Sequence, residues 1–265
     1  MPVYTDQLNR IITIDSTPKR IVSLVPSQTE LLHHFNLNDE VIGITKFCIH
    51  PDEWFRNKQR VGGTKQINFE KLKALNPDLI IANKEENDEL QLKQLMVDYK
   101  VWVSDIKNLD DALHMIHSIG NITGKKHESK KLISEITKTF EVLRSEINVS
   151  KKRVCYLIWY NPIMAAASGT FINDMIERSG FENALKDKSR YPLLSVEDLK
   201  QIKPELIFLS SEPFPFKQKH IDELKNILPE SRFFLVNGEL FSWYGSRLLQ
   251  SAEYFKKLRE EIDGN

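Results

Sequence analysis

The side chains of this 265-residue chain with most chemistry to offer are seven histidines, two cysteines, four tryptophans and seven tyrosines. Their spacing argues mostly against catalysis. His33 and His34 are adjacent, and neighbouring helical side chains point about 100° apart, so they make a poor metal pair. His114 and His117 stand at i and i+3, where they could share a helix face. They sit in an apolar run with Leu113, Met115 and Ile116, and read as structural. Cys48 and Cys155 match no zinc spacing and read as two buried thiols rather than a disulfide. No GxSxG, GxGxxG, phosphate-binding Walker loop or HExxH occurs. The expectation is a binding protein with no catalytic residue, no resident cofactor and no metal site.

The elements that must position the remaining candidates alternate in type. Strands are predicted at Arg20–Val25, Val41–Thr45, Leu79–Ala82 and Val101–Val103, with helices from Ser27 or Thr29 through Phe35, over Phe69–Leu75, Glu89–Val97 and Leu109–Ile122. Lys125–Ile147 is the longest amphipathic stretch, with Leu132, Ile136, Phe140 and Leu143 on one face and no glycine or proline. At 1.5 Å per residue it reaches about 35 Å, enough to run along two lobes. The alternation then restarts, with strands at Arg153–Trp159, Leu206–Leu209 and Phe233–Val236 and helices at Phe171–Ser179, Val196–Ile202 and Ser246–Ile262. The fold class expected is α/β, two Rossmann-like lobes with parallel sheets joined by one backbone helix. The boundaries are 1–122, 123–150 for the helix and 151–265.

A repeat supports two lobes. Phe69-Glu-Lys-Leu-Lys-Ala-Leu-Asn-Pro-Asp-Leu-Ile-Ile aligns with Val196-Glu-Asp-Leu-Lys-Gln-Ile-Lys-Pro-Glu-Leu-Ile-Phe, so that Glu70 meets Glu197 and Pro77 meets Pro204. Two copies make a pair of lobes, not a solenoid.

Ligands of open α/β sheets bind outside the carboxyl ends of the strands. The loops there hold Phe47 and His50 after the second strand, then Thr64 beside Gly62 and Gly63, and in the second half Trp159, Tyr160, Trp243, Tyr244 and Arg247. The aromatic residues could stack on a flat ligand while His50 or Arg247 fixes a polar group. Lys and Arg together number 37, as do Asp and Glu, for a formal net charge of zero; nothing electrostatic favours nucleic acid or an anionic membrane. The polar start, Met1-Pro-Val-Tyr-Thr-Asp-Gln, carries no secretory signal pattern. Either an export signal has been removed or the chain stays where it is made.

From residue 18 to 262 the chain resembles the helical-backbone substrate-binding proteins of ABC importers for iron–siderophores, haem and cobalamin. The resemblance lies in Arg20-Ile-Val-Ser-Leu-Val-Pro-Ser-Gln-Thr-Glu-Leu, Val61-Gly-Gly-Thr, Leu75-Asn-Pro-Asp-Leu-Ile-Ile and Ser242-Trp-Tyr-Gly-Ser-Arg. Cobalamin-binding members look closest. The resemblance implies a monomeric, extracytoplasmic receptor that captures its ligand between the lobes, and makes Glu70 and Glu197 the carboxylates that dock on arginines of the permease subunits. Thr64 stands where cobalamin binders carry a tryptophan, and Asn83-Lys-Glu-Glu is more charged than their pattern. Cobalamin, haem, a ferric siderophore and a simpler metal chelate all stay open as ligands. A cytosolic corrinoid or metal carrier, or an enzyme on the same two-lobed framework, are the alternatives, although two cysteines are too few for an iron–sulfur cluster within one chain.

Overall fold

β-Branched and leucine-rich runs between turn residues become short central strands, and the periodic segments between them become the covering helices. A computed structural model describes residues 2–147 and 152–264; the end of the expected connecting segment, 148–150, lies outside them. The first half holds β1 (Val3–Thr5), β2 (Ile11–Thr13), β3 (Ile21–Ser23), α1 (Pro26–His34), β4 (Val41–Ile44), α2 (Asp52–Asn57), β5 (Gln59–Arg60), α3 (Phe69–Leu75), β6 (Leu79–Asn83), α4 (Glu89–Asp98), β7 (Val101–Ser104), α5 (Leu109–Ile122) and α6 (Lys126–Glu146). The second half holds β8 (Arg153–Trp159), β9 (Ile163–Ala166), α7 (Phe171–Arg178), β10 (Glu182–Asn183), β11 (Leu193–Leu194), α8 (Val196–Ile202), β12 (Leu206–Ser210), α9 (Gln218–Lys225), β13 (Arg232–Val236), α10 (Gly238–Ser242) and α11 (Leu248–Gly264).

The chain divides into two compact units. Unit 1 comprises Met1–Ile106, Asp110–Glu135 and Tyr244–Arg247, and unit 2 comprises Lys107–Leu109, Ile136–Trp243 and Leu248–Asn265. The division falls inside α6.

In unit 1 the strand order is β5-β4-β3-β6-β7, all parallel, with β1 and β2 as a separate antiparallel hairpin. Alternation along the strands sends Val22, Leu24, Ile80, Ala82, Val101 and Val103 to one face, where they meet Leu72 of α3 and Leu92 and Leu95 of α4. In unit 2 the order is β11-β9-β8-β12-β13, and β10 also pairs with β8. The expected parallel pairing holds for β8, β10, β12 and β13, whereas β9 runs antiparallel to β8 and β11 antiparallel to β9. Cys155, Leu157, Ile207 and Leu209 face Leu199 of α8 and Ile221 and Leu224 of α9, repeating the arrangement of unit 1.

The sequence repeat is a structural repeat. Asn68 caps α3 by accepting from Lys71 N–H at 2.9 Å, and Ser195 caps α8 by accepting from Asp198 N–H at 3.0 Å. Asn76 ends α3 at φ 44°, ψ 63°, and Lys203 ends α8 at φ 45°, ψ 61°, each in the left-handed region and each followed by proline. Past the proline, Asp78 accepts from Arg20 N–H at 3.0 Å and Glu205 accepts from Arg153 N–H at 2.9 Å. The carboxylate that follows each helix stop thus ties the start of the next strand to the start of the first one.

One local expectation is corrected. Neither Ser27 nor Thr29 caps α1, because Pro26 takes the first helical position and Val25 is the N-cap residue. A proline there loses nothing, since the first N–H of a helix has no internal partner. Thr29 Oγ1 instead donates back to the Val25 carbonyl at 2.8 Å.

Candidate functional site

In unit 1 the loops beyond the carboxyl ends of the strands are built on a buried polar network. Asn83, at the end of β6, donates from Nδ2 to Ser104 Oγ at 3.0 Å and accepts at Oδ1 from the N–H groups of Glu85 (2.8 Å) and Glu86 (3.0 Å). Asn87 accepts from Asn83 N–H at 2.8 Å and donates to the carbonyls of Thr64 (3.0 Å) and Leu24 (3.2 Å). Gln28 reaches Ser104 Oγ at 2.5 Å from α1. Two asparagines thereby tie the loops after β3, β5 and β6 to one another and to the end of β7, and Thr64 is held through its backbone. Cys48 lies within the loop after β4, fully buried, with Thr29 Oγ1 at 3.1 Å and Thr45 Oγ1 at 3.2 Å from Sγ. Burial pushes its thiol up to about 11, so at neutral pH it is a packed thiol and not a nucleophile.

On that frame Phe47 is half exposed, under a cation–π contact from Lys46 Nζ at 5.1 Å. A Cβ on Gly63 would lie 3.2 Å from its ring, so the glycine makes room for it. Ile49, absent from the sequence-level candidates, is 46% exposed on the same loop, and His50 follows it, half-buried.

Tyr244 is buried with its hydroxyl 3.4 Å from Glu86 Oε1; burial and the Glu86 carboxylate push the phenol up, keeping it protonated. Arg247 donates to Glu30 through Nε at 2.9 Å and Nη2 at 2.6 Å. Unit 1 therefore brings Phe47, His50, Thr64, Tyr244 and Arg247 to the loop region, with Arg247 and Tyr244 already engaged with carboxylates.

Unit 2 offers a different surface. Trp159, at the end of β8, keeps 40% of its area open and packs edge-on against Phe214 with centroids 5.6 Å apart. Tyr160 stacks on Phe214 at 6.1 Å and contacts Phe216 at 6.1 Å and His220 at 4.9 Å. Its hydroxyl hydrogen-bonds the Glu223 carboxylate, and burial together with that carboxylate pushes it up to about 12. His220 accepts at Nδ1 from Lys217 N–H at 2.9 Å, so the imidazole closes the first turn of α9. Trp243, expected with Trp159 on an open loop, is 7% exposed; its Nε1 donates to Glu212 at 2.9 Å, and Ser242 Oγ donates to the same oxygen at 2.7 Å. Phe216 and His220 escaped the sequence reading, which reached Glu212 and Phe214 only as members of the loop after a strand, Ser211-Glu-Pro-Phe. The signal was there in the spacing Glu212-Pro-Phe-Pro-Phe, a proline-broken aromatic run directly after a strand.

Glu70 and Glu197 lie on α3 and α8, each one residue beyond the first helical position and each exposed. His114 is exposed, and His117 Nε2 lies 2.8 Å from Asn121. Among the described residues no group of three His, Cys, Asp or Glu side chains is placed to hold a metal, and both cysteines are free.

Residues 21–227 match the periplasmic binding protein family. The chain belongs to that family. Among its periplasmic binding protein relatives, an uncharacterized ABC transporter substrate-binding lipoprotein YvrC of Bacillus subtilis is 26% identical over 263 residues, covering 94% of this chain and 82% of its own. A vitamin B12-binding protein of Vibrio cholerae is 26% identical over 195 residues, 72% of this chain and 70% of its own. Among solved structures, a possible iron-binding periplasmic solute-binding protein of Staphylococcus epidermidis is 25% identical, with a TM-score of 0.77 over 93% of this chain and 99% of that one. The α/β architecture of paired sheets is thus that of the periplasmic binding proteins, as the sequence resemblance implied.

Proposed function

We propose that this periplasmic binding protein is the solute receptor of an ABC importer, working on the outer side of a membrane and capturing cobalamin or, as the second choice, a ferric chelate. The observation that carries the reading is Trp159. A tryptophan 40% exposed at the carboxyl end of a central strand, braced by Phe214, which in turn stacks on Tyr160, is an open apolar platform for a flat macrocycle. Phe47 and Ile49 supply a second exposed apolar patch, on unit 1. The B12-binding relative supports cobalamin and the iron-binding structural neighbour supports a ferric chelate.

Titration with cyanocobalamin, haemin and a ferric trihydroxamate, read by tryptophan emission, tests the reading. One of the three is expected to quench with one-to-one stoichiometry, and Trp159→Phe to lose most of the quench. Absence of binding by all three would sink the proposal. Glu70 and Glu197 are the docking carboxylates in this reading. Replacing both with alanine is expected to leave ligand affinity within about twofold and to abolish stimulation of the permease ATPase, since exposed charges contribute little to the fold but much to steering and register.

A further inference from the structure

The four residues Tyr244–Arg247 belong to unit 1, although Trp243 before them and Leu248 after them belong to unit 2. They lie between α10 and α11, outside both helices. Three contacts seat them on α1 and the loop after β6. The Arg247 guanidinium forks onto the Glu30 carboxylate, Nε to Oε2 at 2.9 Å and Nη2 to Oε1 at 2.6 Å. Only 11% of the Arg247 side chain and 20% of the Glu30 side chain meet solvent. Gly245 comes so close to α1 that a Cβ would stand 3.0 Å from the Ser27 carbonyl oxygen. Tyr244 ends with its hydroxyl 3.4 Å from Glu86.

We infer that Glu30 is a positioning residue for ligand binding, which seats Tyr244–Arg247 on α1 through Arg247 and so sets the buried Tyr244 against Glu86 among the loops of unit 1. A bidentate arginine–carboxylate pair fixes orientation as well as distance. Removing one partner leaves the other charge withdrawn from water without its counter-ion, so the segment does not stay in place when the pair is broken. Glu30 acts through Arg247 in this arrangement, and Arg247 is not the group that grips the ligand. The inference rests on the receptor reading above.

The test compares wild type with Glu30→Gln, Arg247→Gln and the charge swap Glu30→Arg/Arg247→Glu. The readouts are affinity for whichever of cyanocobalamin, haemin and the ferric trihydroxamate binds wild type, and hydrogen exchange at residues 244–247. Both single variants are expected to weaken binding about tenfold and to lose protection at 244–247, with the swap recovering part of each. A Glu30→Gln variant that binds as well as wild type, or better while Arg247→Gln binds worse, overturns the inference, because Arg247 would then be a ligand contact that Glu30 holds back. If none of the three probes binds wild type, the receptor reading fails on its own. Hydrogen exchange then decides the seating: unchanged protection in Glu30→Gln overturns it, and lost protection upholds it.

Discussion

The two units share the parallel run from β3 to β6 and β7 and from β8 to β12 and β13, the same helix stop at Asn76 and Lys203, and the same carboxylate tie at Asp78 and Glu205. They differ in what holds their loops. Unit 1 uses amide and hydroxyl side chains, with Asn83, Asn87, Gln28 and Ser104 bonded to one another and to backbone. Unit 2 uses rings, with Trp159, Tyr160, Phe214, Phe216 and His220 in edge and stacked contact. A hydrogen-bond network specifies distance and direction and fails sharply when one member is lost. An aromatic cluster tolerates small shifts, because its contacts are individually weak and collectively large. Unit 1 is therefore the rigid template and unit 2 the adaptable surface.

The buried thiols give the largest contrast. Cys48 in unit 1 is hydrogen-bonded by two threonines and rises to about 11, while Cys155 in the apolar core of unit 2 rises to about 12, both through burial. A thiol whose folded value lies above its unfolded value of 9.0 stabilises the fold fully below that value and loses the contribution as pH climbs towards the folded one. For Cys155 that amounts to about 4 kcal/mol between pH 9 and 12, and for Cys48 to about 3 kcal/mol between pH 9 and 11. Denaturant titrations at stepped alkaline pH are expected to show a flatter decline in Cys155→Ala than in Cys48→Ala. Equal slopes would remove the distinction between the hydrogen-bonded and the apolar thiol.

Asn87→Ala breaks the template next. It removes the acceptor of Asn83 N–H and the donor to Thr64 and Leu24, at a cost of about 3 kcal/mol for buried groups left without partners. Urea unfolding followed by far-UV circular dichroism is expected to show an early transition covering part of the amplitude. A shift of less than about 1 kcal/mol would mean that water replaces the amide without loss, and that unit 1 is not the more brittle of the two.

The repeat and the strand–helix alternation were legible in the sequence because they rest on local signals. α5 falls at Leu109–Ile122 and α8 at Val196–Ile202, as the periodicity predicts, since apolar spacing marks both and Gly124 after α5 and Pro204 after α8 mark their ends. The antiparallel edge of unit 2 was not legible: Ile163-Met-Ala-Ala is a four-residue run without alternation, and β11 is two leucines. α9 hides for a related reason, since eight residues with Ile221 and Leu224 as its only apolar pair resemble a polar loop. Candidate site residues were chosen from their place after strands, which says nothing of their partners. Arg247 and Glu30 are 217 positions apart, and Trp243 reads as an open-loop residue until Glu212 is seen to bind its indole nitrogen. Burial is set by long-range packing, which no local spacing encodes.

The aromatic surface is the place to sharpen the comparison. Phe214 touches four other rings, those of Trp159, Tyr160, Phe216 and His220, yet is itself only half-buried. Phe214→Ala is expected to cost about 2 kcal/mol, below the 3–5 typical of a fully buried phenylalanine. It also strips Trp159 of its brace, so tryptophan emission should move to the red. An unchanged emission maximum would show that Trp159 is held by its own Nε1 bond to the Asn161 carbonyl rather than by the cluster.

The smallest effect on stability, and the most telling for function, belongs to Trp159 itself. It already exposes 40% of its surface, and Trp243 exposes 7%, so an aqueous quencher such as iodide should reach the first and spare the second. Trp159→Ala is expected to change stability by no more than about 1 kcal/mol, because the part of the ring in water contributes nothing on folding. The same substitution in a buried position such as Trp243 would leave a cavity and the Glu212 carboxylate without its indole partner, at about 3 kcal/mol or more. A Trp159→Ala variant that unfolded as early as Trp243→Ala would mark Trp159 as part of the core, and the open platform on which the adaptable surface depends would not exist.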